Sequence, residues 1–417
     1  YHWICSHNTH IRRRLPAAVT LVQQKTSKRM SAAAARRRKQ LLARKQAQEE
    51  AAAEADPVSA QLQKLLHDED LKEEANAYEA LQLAQSQVRK KVKAGDFAAA
   101  VELAYSSSLT ILKRGRVSVA SQLLTVLANV LRETHTEETD ELIQKLVELN
   151  QAHQEAMNGQ TGEEANRLQR LQRDWLRRVV QWSSELGKIR FGHFVLQELL
   201  AQQSWFLSKL VVGNTKDTED EDELMELKTD AVTHMALAEQ PERIVEWLKE
   251  LPVPTDAETA AGHTCPPSDR DALLTRAVLC MCAVENLRDA NTLVRSFLEK
   301  VEERKPDELT KSYTSKDDGK APSHIIFCCM LLRICEKDPR TGPLFSWLIR
   351  SFKRELDGLY KAQIIQSYTT KIGKIYFNIQ PPPSMFNMLE NMMGMMGPGG
   401  AGGMNPAMMQ AMMGGMQ

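Results

Sequence analysis

The sequence predicts an all-α fold, an α-solenoid of stacked antiparallel helical hairpins between disordered termini. Three observations carry this expectation. Apolar residues recur at i, i+3, i+4 and i+7 through most of residues 56–380. Period-two alternation, the mark of a half-buried strand, is nearly absent. The breaks between periodic stretches are short, and short connections force neighbouring helices to run antiparallel and stack side by side.

The elements follow in order from Asp56-Pro57. Gly95-Asp96 reads as a stop followed by a start, since Gly suits the left-handed position after a helix and Asp caps the next one. Gly115 supplies the next stop. Leu123, Leu124, Leu127, Val130 and Leu131 then share one helix face. Thr134 with Glu137, and Thr161 with Glu164, fit capping boxes. Between them Leu142, Leu146 and Leu149 form a stripe, and Leu168, Leu171, Trp175, Val179 and Trp182 form another that ends at Gly187. The acidic run Asp217 to Glu223 reads as a solvated loop, so residues 213–224 divide the array into halves at 56–212 and 225–380. Helices resume through Ile244, Trp247, Leu248 and Leu251. After a Pro- and Thr-rich loop, Pro252 to Pro267, a helix from Arg270 carries Leu274, Val278, Met281 and Cys282. A polar stretch follows, with a short β-hairpin expected near residues 308–322. The array closes with stripes at Ile325, Cys328, Cys329, Leu332 and Cys335, at Phe345, Leu348, Ile349, Phe352 and Leu356, and at Tyr368, Ile372, Ile375 and Tyr376.

Charge and composition exclude several classes. Lys+Arg and Asp+Glu stand at 54 each, so no global field points to nucleic acid. No stretch approaches the ~20 apolar residues of a membrane span. Cys280, Cys282, Cys328, Cys329 and Cys335 sit in apolar helical stretches, as in a reduced intracellular protein. Residues 1–48 hold no acid and a dozen Lys and Arg. They read as a flexible basic arm (residues 1–55) on a cytosolic protein, with a mitochondrial presequence as the alternative and Met30 as a plausible start. At the other end, residues 381–417 hold twelve of the eighteen methionines. That tail reads either as a disordered low-complexity terminus or as an adaptable surface for apolar partners, because methionine is flexible and polarizable.

Catalytic and cofactor chemistry is not indicated. Cys280 and Cys282 point about 200° apart on a helix, which suits neither a metal nor a disulfide. His135, His153, His193, His234, His263 and His324 are scattered singly. No phosphate-cradling glycine loop, nucleophile elbow or dinucleotide fingerprint occurs. The expectation is a non-enzyme without cofactor or metal. Arg89, Lys90, Lys91 and Lys93 crowd one helix end, and Lys113, Arg114 and Arg116 the next; in an antiparallel hairpin these clusters lie at opposite ends. Cations there suit the helix dipole, and they can also steer a partner of opposite sign.

The stretch from Ala77-Tyr78-Glu79-Ala80 to Gly95-Asp96-Phe97-Ala98-Ala99-Ala100 loosely resembles a tetratricopeptide helix pair. The same stretch resembles the opening helices of the factor-four family of the guided entry of tail-anchored proteins pathway. Trp182-Ser183-Ser184 and Leu186-Gly187-Lys188-Ile189-Arg190-Phe191-Gly192-His193 resemble that family's midpoint. Tyr368 to Ile379, followed by Pro381-Pro382-Pro383, resembles its close. The resemblance spans about residues 72–396.

The resemblance implies a cytosolic scaffold of tail-anchored membrane protein targeting. Its N-terminal helices would engage the targeting ATPase, and its C-terminal helices a ubiquitin-like-domain subunit or a larger chaperone scaffold. By position, Tyr78, Arg89, Lys90, Lys91 and Lys93 would face the ATPase. Phe345, Trp347, Leu348, Phe352, Leu359 and Tyr360 would belong to the second partner's end. Met392, Met393, Met395 and Met396 are candidates for direct client contact, which would make the chain a co-chaperone that binds hydrophobic clients through its tail.

Overall fold

The structure, a computed structural model, describes residues 57–67, 74–212, 218–251, 270–303, 323–337 and 339–380. The basic arm, the hairpin expected near 308–322, the Pro252 to Pro267 loop and the Met-rich tail lie outside the described residues. Among the described residues all regular structure is helical, with no strand. The chain divides into two compact units, one ending at Gln160 and the other beginning at Thr161.

The first unit contains α1 (Pro57–His67), α2 (Glu74–Lys93), α3 (Phe97–Lys113), α4 (Val117–Glu133) and α5 (Asp140–Met157). Each helix packs on the next, and α1 on α3, α2 on α4 and α3 on α5 also touch, which is the contact pattern of stacked hairpins. Leu123, Leu124, Leu127 and Leu131 of α4 are almost wholly buried, as their spacing predicts. Each such side chain contributes about 1.5–3 kcal/mol on burial. Two turns have the glycine stop read from the sequence. Gly95 takes φ +78°, while Asp96 N–H donates to Lys91 O and Gly95 N–H to Val92 O. Gly115 repeats this bonding with Arg116 to Ile111 and Gly115 to Leu112. These are Schellman closures, which need a left-handed residue. Asp96 then caps α3 by accepting from Ala99 N–H at 3.3 Å.

Three further turns have the same closure without glycine. His135, Glu239 and Glu285 adopt φ of 49°, 58° and 69°. The two expected capping boxes are not formed. Thr134 ends α4, with its hydroxyl on Val130 O, and it is Thr139 that caps α5 by accepting from Leu142 N–H. The next helix starts after Gly162, with no side-chain cap.

The second unit contains α6 (Glu163–Leu186), α7 (Phe194–Val212), α8 (Thr218–Leu237), α9 (Pro241–Glu250) and α10 (Arg270–Ala283). It continues with α11 (Leu287–Phe297), which widens into a π turn at Leu298–Glu302, and with α12 (Ser323–Cys335), α13 (Gly342–Ser351), α14 (Lys353–Asp357) and α15 (Ala362–Phe377). The acidic run does not form a free loop, because α8 begins at Thr218 and takes in all of it but Asp217. Acids in the first turn of a helix favour its positive end, so the run is compatible with helix rather than opposed to it.

Burial of α10 extends beyond the expected apolar stripe to the whole helix, Asp271, Thr275 and Arg276 included. Every residue from Asp271 to Ala283 is buried, because α8, α11, α12 and α15 surround it and α9 also touches it. A helix buried all round belongs inside a core. α15 lies on α10 despite the long sequence separation, so packing in this unit is not confined to neighbours in sequence. At the crossing of α13 and α15, Gly373 permits close approach; a Cβ there would meet Phe345 Cε1 at 3.2 Å.

Candidate functional site

In the first unit the structure brings most of the predicted basic residues to one helix face. α2 turns about 100° per residue, so Tyr78, Gln82, Gln85 and Arg89 fall nearly in line, with Lys93 beside them. Lys91 points to the opposite side. Among the described residues, Gln82, Gln85, Ser86, Arg89, Lys90 and Lys93 line a groove of about 550 Å³. Tyr78 is 38% exposed, and Phe97 at the start of α3 is 43% exposed.

The dipole explanation of these cations is incomplete. The last-turn carbonyls of α2 are already taken by backbone: Ala94 N–H donates to Lys90 O, Gly95 to Val92 and Asp96 to Lys91. Arg89 and Lys93 make no ion pair among the described residues. Elsewhere in the unit some charges are matched across helices. Lys145 of α5 reaches Glu102 of α3 and Glu141, each at 2.9 Å, and hydrogen bonding to Glu102 and Glu141 raises its ammonium pKa to about 12. Tyr105 donates to Glu148, and burial together with that bond pushes its phenol up to about 12. Arg89 and Lys93 thus leave the α2 face with charge that no acid among the described residues neutralises. Lys113, Arg114 and Arg116 sit at the far end of α3, away from it.

In the second unit the structure separates the predicted C-terminal residues by role. Phe345 stacks on Phe377 with centroids 4.8 Å apart, and Phe352 packs on Phe327 at 5.5 Å. Phe345, Leu348, Phe352 and Leu359 are all core residues. Tyr360 is half-buried: its carbonyl accepts from Arg276 Nη1 at 2.9 Å, and Lys361 lies over its ring at 5.1 Å. Trp347 alone of this set is an exposed apolar surface, at 48%. Sequence reasoning missed its neighbour Leu344, exposed at 54%. The two sit one turn apart, outside the buried Phe345–Leu348–Phe352 stripe, and that spacing was the available signal. Met392, Met393, Met395 and Met396 lie outside the described residues.

A charged ladder in this unit was also missed. Arg170 of α6 meets Glu223 of α8 through two bonds of 2.8 and 3.0 Å. Arg173 reaches Asp230 at 2.7 Å and Glu226 at 3.3 Å, and Arg177 contacts the same two acids. Burial works against ionisation of Asp230, but Arg177 outweighs it and the carboxyl is held below its usual range. Next to the ladder, Gln197 donates to Phe191 O and accepts from the Nδ1–H of His234. His234 is kept neutral, with burial lowering it to about 4.

Among the described residues no three His, Cys, Asp or Glu side chains converge on a metal position. Cys280, Cys282, Cys328, Cys329 and Cys335 are buried thiols, and burial pushes Cys280 and Cys329 up to about 11. No helix among the described residues is long and apolar enough to cross a membrane.

Comparison with known chains identifies the family. A family model described as GET4: Golgi to ER traffic protein 4 matches residues 94–396. The chain belongs to the GET4 family. Protein GET4 of Arabidopsis thaliana is 23% identical over 362 residues, which cover 82% of this chain and 98% of the relative. Among solved structures, the crystal structure of C. therm. Get4 is 22% identical and covers 84% of this chain and 98% of that one, with a TM-score of 0.49. Membership of the GET4 family associates the chain with Golgi-to-ER traffic and the targeting of tail-anchored proteins. The segment matched by the GET4 model includes Trp347 and Leu344 but starts after α2, so Tyr78, Arg89 and Lys93 precede it.

Proposed function

We propose that the chain is a non-enzymatic cytosolic adaptor that bridges a tail-anchored-protein targeting ATPase to a second subunit with a ubiquitin-like domain, or to a larger chaperone scaffold. The α2 face, with Tyr78, Arg89, Lys90 and Lys93, engages the ATPase. The exposed Leu344–Trp347 edge contributes to the second contact. The observation that carries this reading is the pair Arg89 and Lys93, without an ion pair among the described residues, on one helix face with an exposed tyrosine. Exposed charge gives fast, salt-dependent association, whereas an apolar edge gives contacts that salt scarcely weakens.

Binding of the full chain to each partner at low and high salt tests the proposal. The ATPase contact should weaken steeply with salt and on Arg89→Glu with Lys93→Glu. The second contact should respond instead to Leu344→Ala with Trp347→Ala. Equal salt sensitivity of the two contacts would sink the reading.

A second reading is supported by the twelve methionines of residues 381–417. Here the chain is a co-chaperone whose tail, with Met392, Met393, Met395 and Met396, contacts client directly. Deleting residues 381–417 should then abolish crosslinking to a tail-anchor helix, and unchanged crosslinking removes this role.

A further inference from the structure

The loop between α6 and α7 makes contacts that the adaptor reading does not use. Phe191 is flanked by two cations: the Arg190 guanidinium lies 5.2 Å from its ring centroid, and the Lys371 ammonium of α15 lies 4.7 Å from it. Several contacts fix the backbone that carries this ring. Gln197 donates to the Phe191 carbonyl, His193 N–H donates to Ser183 Oγ at 2.7 Å, and Gly192 takes φ +88° where a Cβ would press on Val180 O at 3.3 Å. Two cations on one ring repel each other, and an apolar residue at 371 would cover Phe191 without that cost. Among the described residues the carboxylate that meets Arg190 is Glu285, at 3.8 Å and 59% exposed. Lys371 makes no ion pair among the described residues. Burial first, and Arg190 second, hold its ammonium below the ordinary lysine range.

We propose that Arg190 and Lys371, arrayed about the Phe191 ring, form a docking point for an acidic peptide segment of a partner protein. The two cations come from separate elements, so a ligand that engages both must span them, as a peptide with neighbouring carboxylates does. Such a segment relieves the like-charge repulsion and supplies the acceptors that Lys371 lacks. Phe191, with Phe194 and Val195 exposed at the start of α7, offers apolar area for the methylenes of the same peptide. This site lies wholly in the second unit and does not depend on the assignment of α2.

Amine footprinting of the full chain tests the proposal, with an octaglutamate peptide as the probe. Acetylation of each lysine is read by mass spectrometry with and without the probe. Lys374, exposed one turn along α15, serves as the internal reference. Because the readout is per lysine, capture of the probe at α2 or the basic arm does not register at Lys371. The expected result is acetylation of Lys371 slowed about fivefold, with Lys374 unchanged, when the probe stands at about four times its Kd. Arg190→Gln, a change at a side chain 69% exposed, should remove at least half of that protection without altering thermal melting. Equal protection of both lysines, no protection of Lys371, or full protection in Arg190→Gln would each overturn the proposal.

Discussion

Arg170 and Glu223 are joined by paired hydrogen bonds of 2.8 and 3.0 Å, and they form the first rung of a ladder that repeats with matched spacing on two helices. Arg170, Arg173 and Arg177 fall at i, i+3 and i+7 on α6, and Glu223, Glu226 and Asp230 fall at the same intervals on α8. That shared spacing turns a run of surface charge into a register between helices. The inner rung is the costly one to disturb, because the Arg173 side chain is only 9% exposed.

Arg173→Met should therefore destabilise the chain by about 2–4 kcal/mol, since it leaves Asp230 and Glu226 short of a buried partner. Arg170→Met, at the exposed rung, should cost less than about 1 kcal/mol. Urea unfolding of both variants checks the contrast. A double cycle with Asp230→Asn should return a coupling of ~1 kcal/mol or more for Arg173.

Acid should weaken the fold well before its carboxylates titrate. Burial lowers His153, His234 and His324 from the ordinary 6.5 to about 4, and both ring nitrogens of His153 are without a hydrogen-bond partner among the described residues. Between these values the unfolded chain takes up protons that the folded chain refuses. Stability therefore falls as pH drops from about 6.5 towards 4, by ~1.4 kcal/mol per pH unit for each histidine. Depressed carboxylates such as Asp230 add a further loss of the same sign at lower pH. Unfolding midpoints measured from pH 7 to 4.5 should show the decline, and His153→Leu should flatten it.

The turn at His135 should gain from the residue its geometry prefers. With φ at 49° it holds the position that Gly95 and Gly115 hold in the preceding turns. His135→Gly should stabilise by about 1 kcal/mol, and Gly115→Ala should destabilise by a similar amount. Thermal melting of the two variants checks both signs.

Gly373→Ala should destabilise by up to about 2 kcal/mol. The new methyl presses on Phe345 at the crossing of α13 and α15, which costs more than the ~1 kcal/mol that alanine gains inside a helix. Phe345→Leu in the same background should recover part of the loss, and denaturant unfolding of the pair measures the recovery.

The sequence showed most of the helices because their faces repeat. The Leu123–Leu131 stripe, the Gly95 and Gly115 stops and the Asp96 cap could all be read from local spacing. What could not be read depended on partners distant in sequence. The stop at Glu285 uses a residue that rarely adopts the left-handed conformation, so composition gives no sign of it. The acidic run looked like a loop because α8 places Glu223 against an arginine 53 residues away. At the candidate sites, periodicity located Phe345, Leu348 and Phe352 but could not separate core from surface, so Leu344 went unnoticed beside Trp347. The α2 cations were visible as a cluster; that Arg89 and Lys93 make no ion pair among the described residues emerged only in three dimensions.

The position of α10 limits how this chain can be shortened or recombined. A helix enclosed on all sides acts as a keystone, and removing α15 would leave Cys280 and Arg276 facing water. Deletions from the C-terminal side should therefore fail abruptly rather than one hairpin at a time, and grafted repeats will be tolerated more readily before Gln160 than after it.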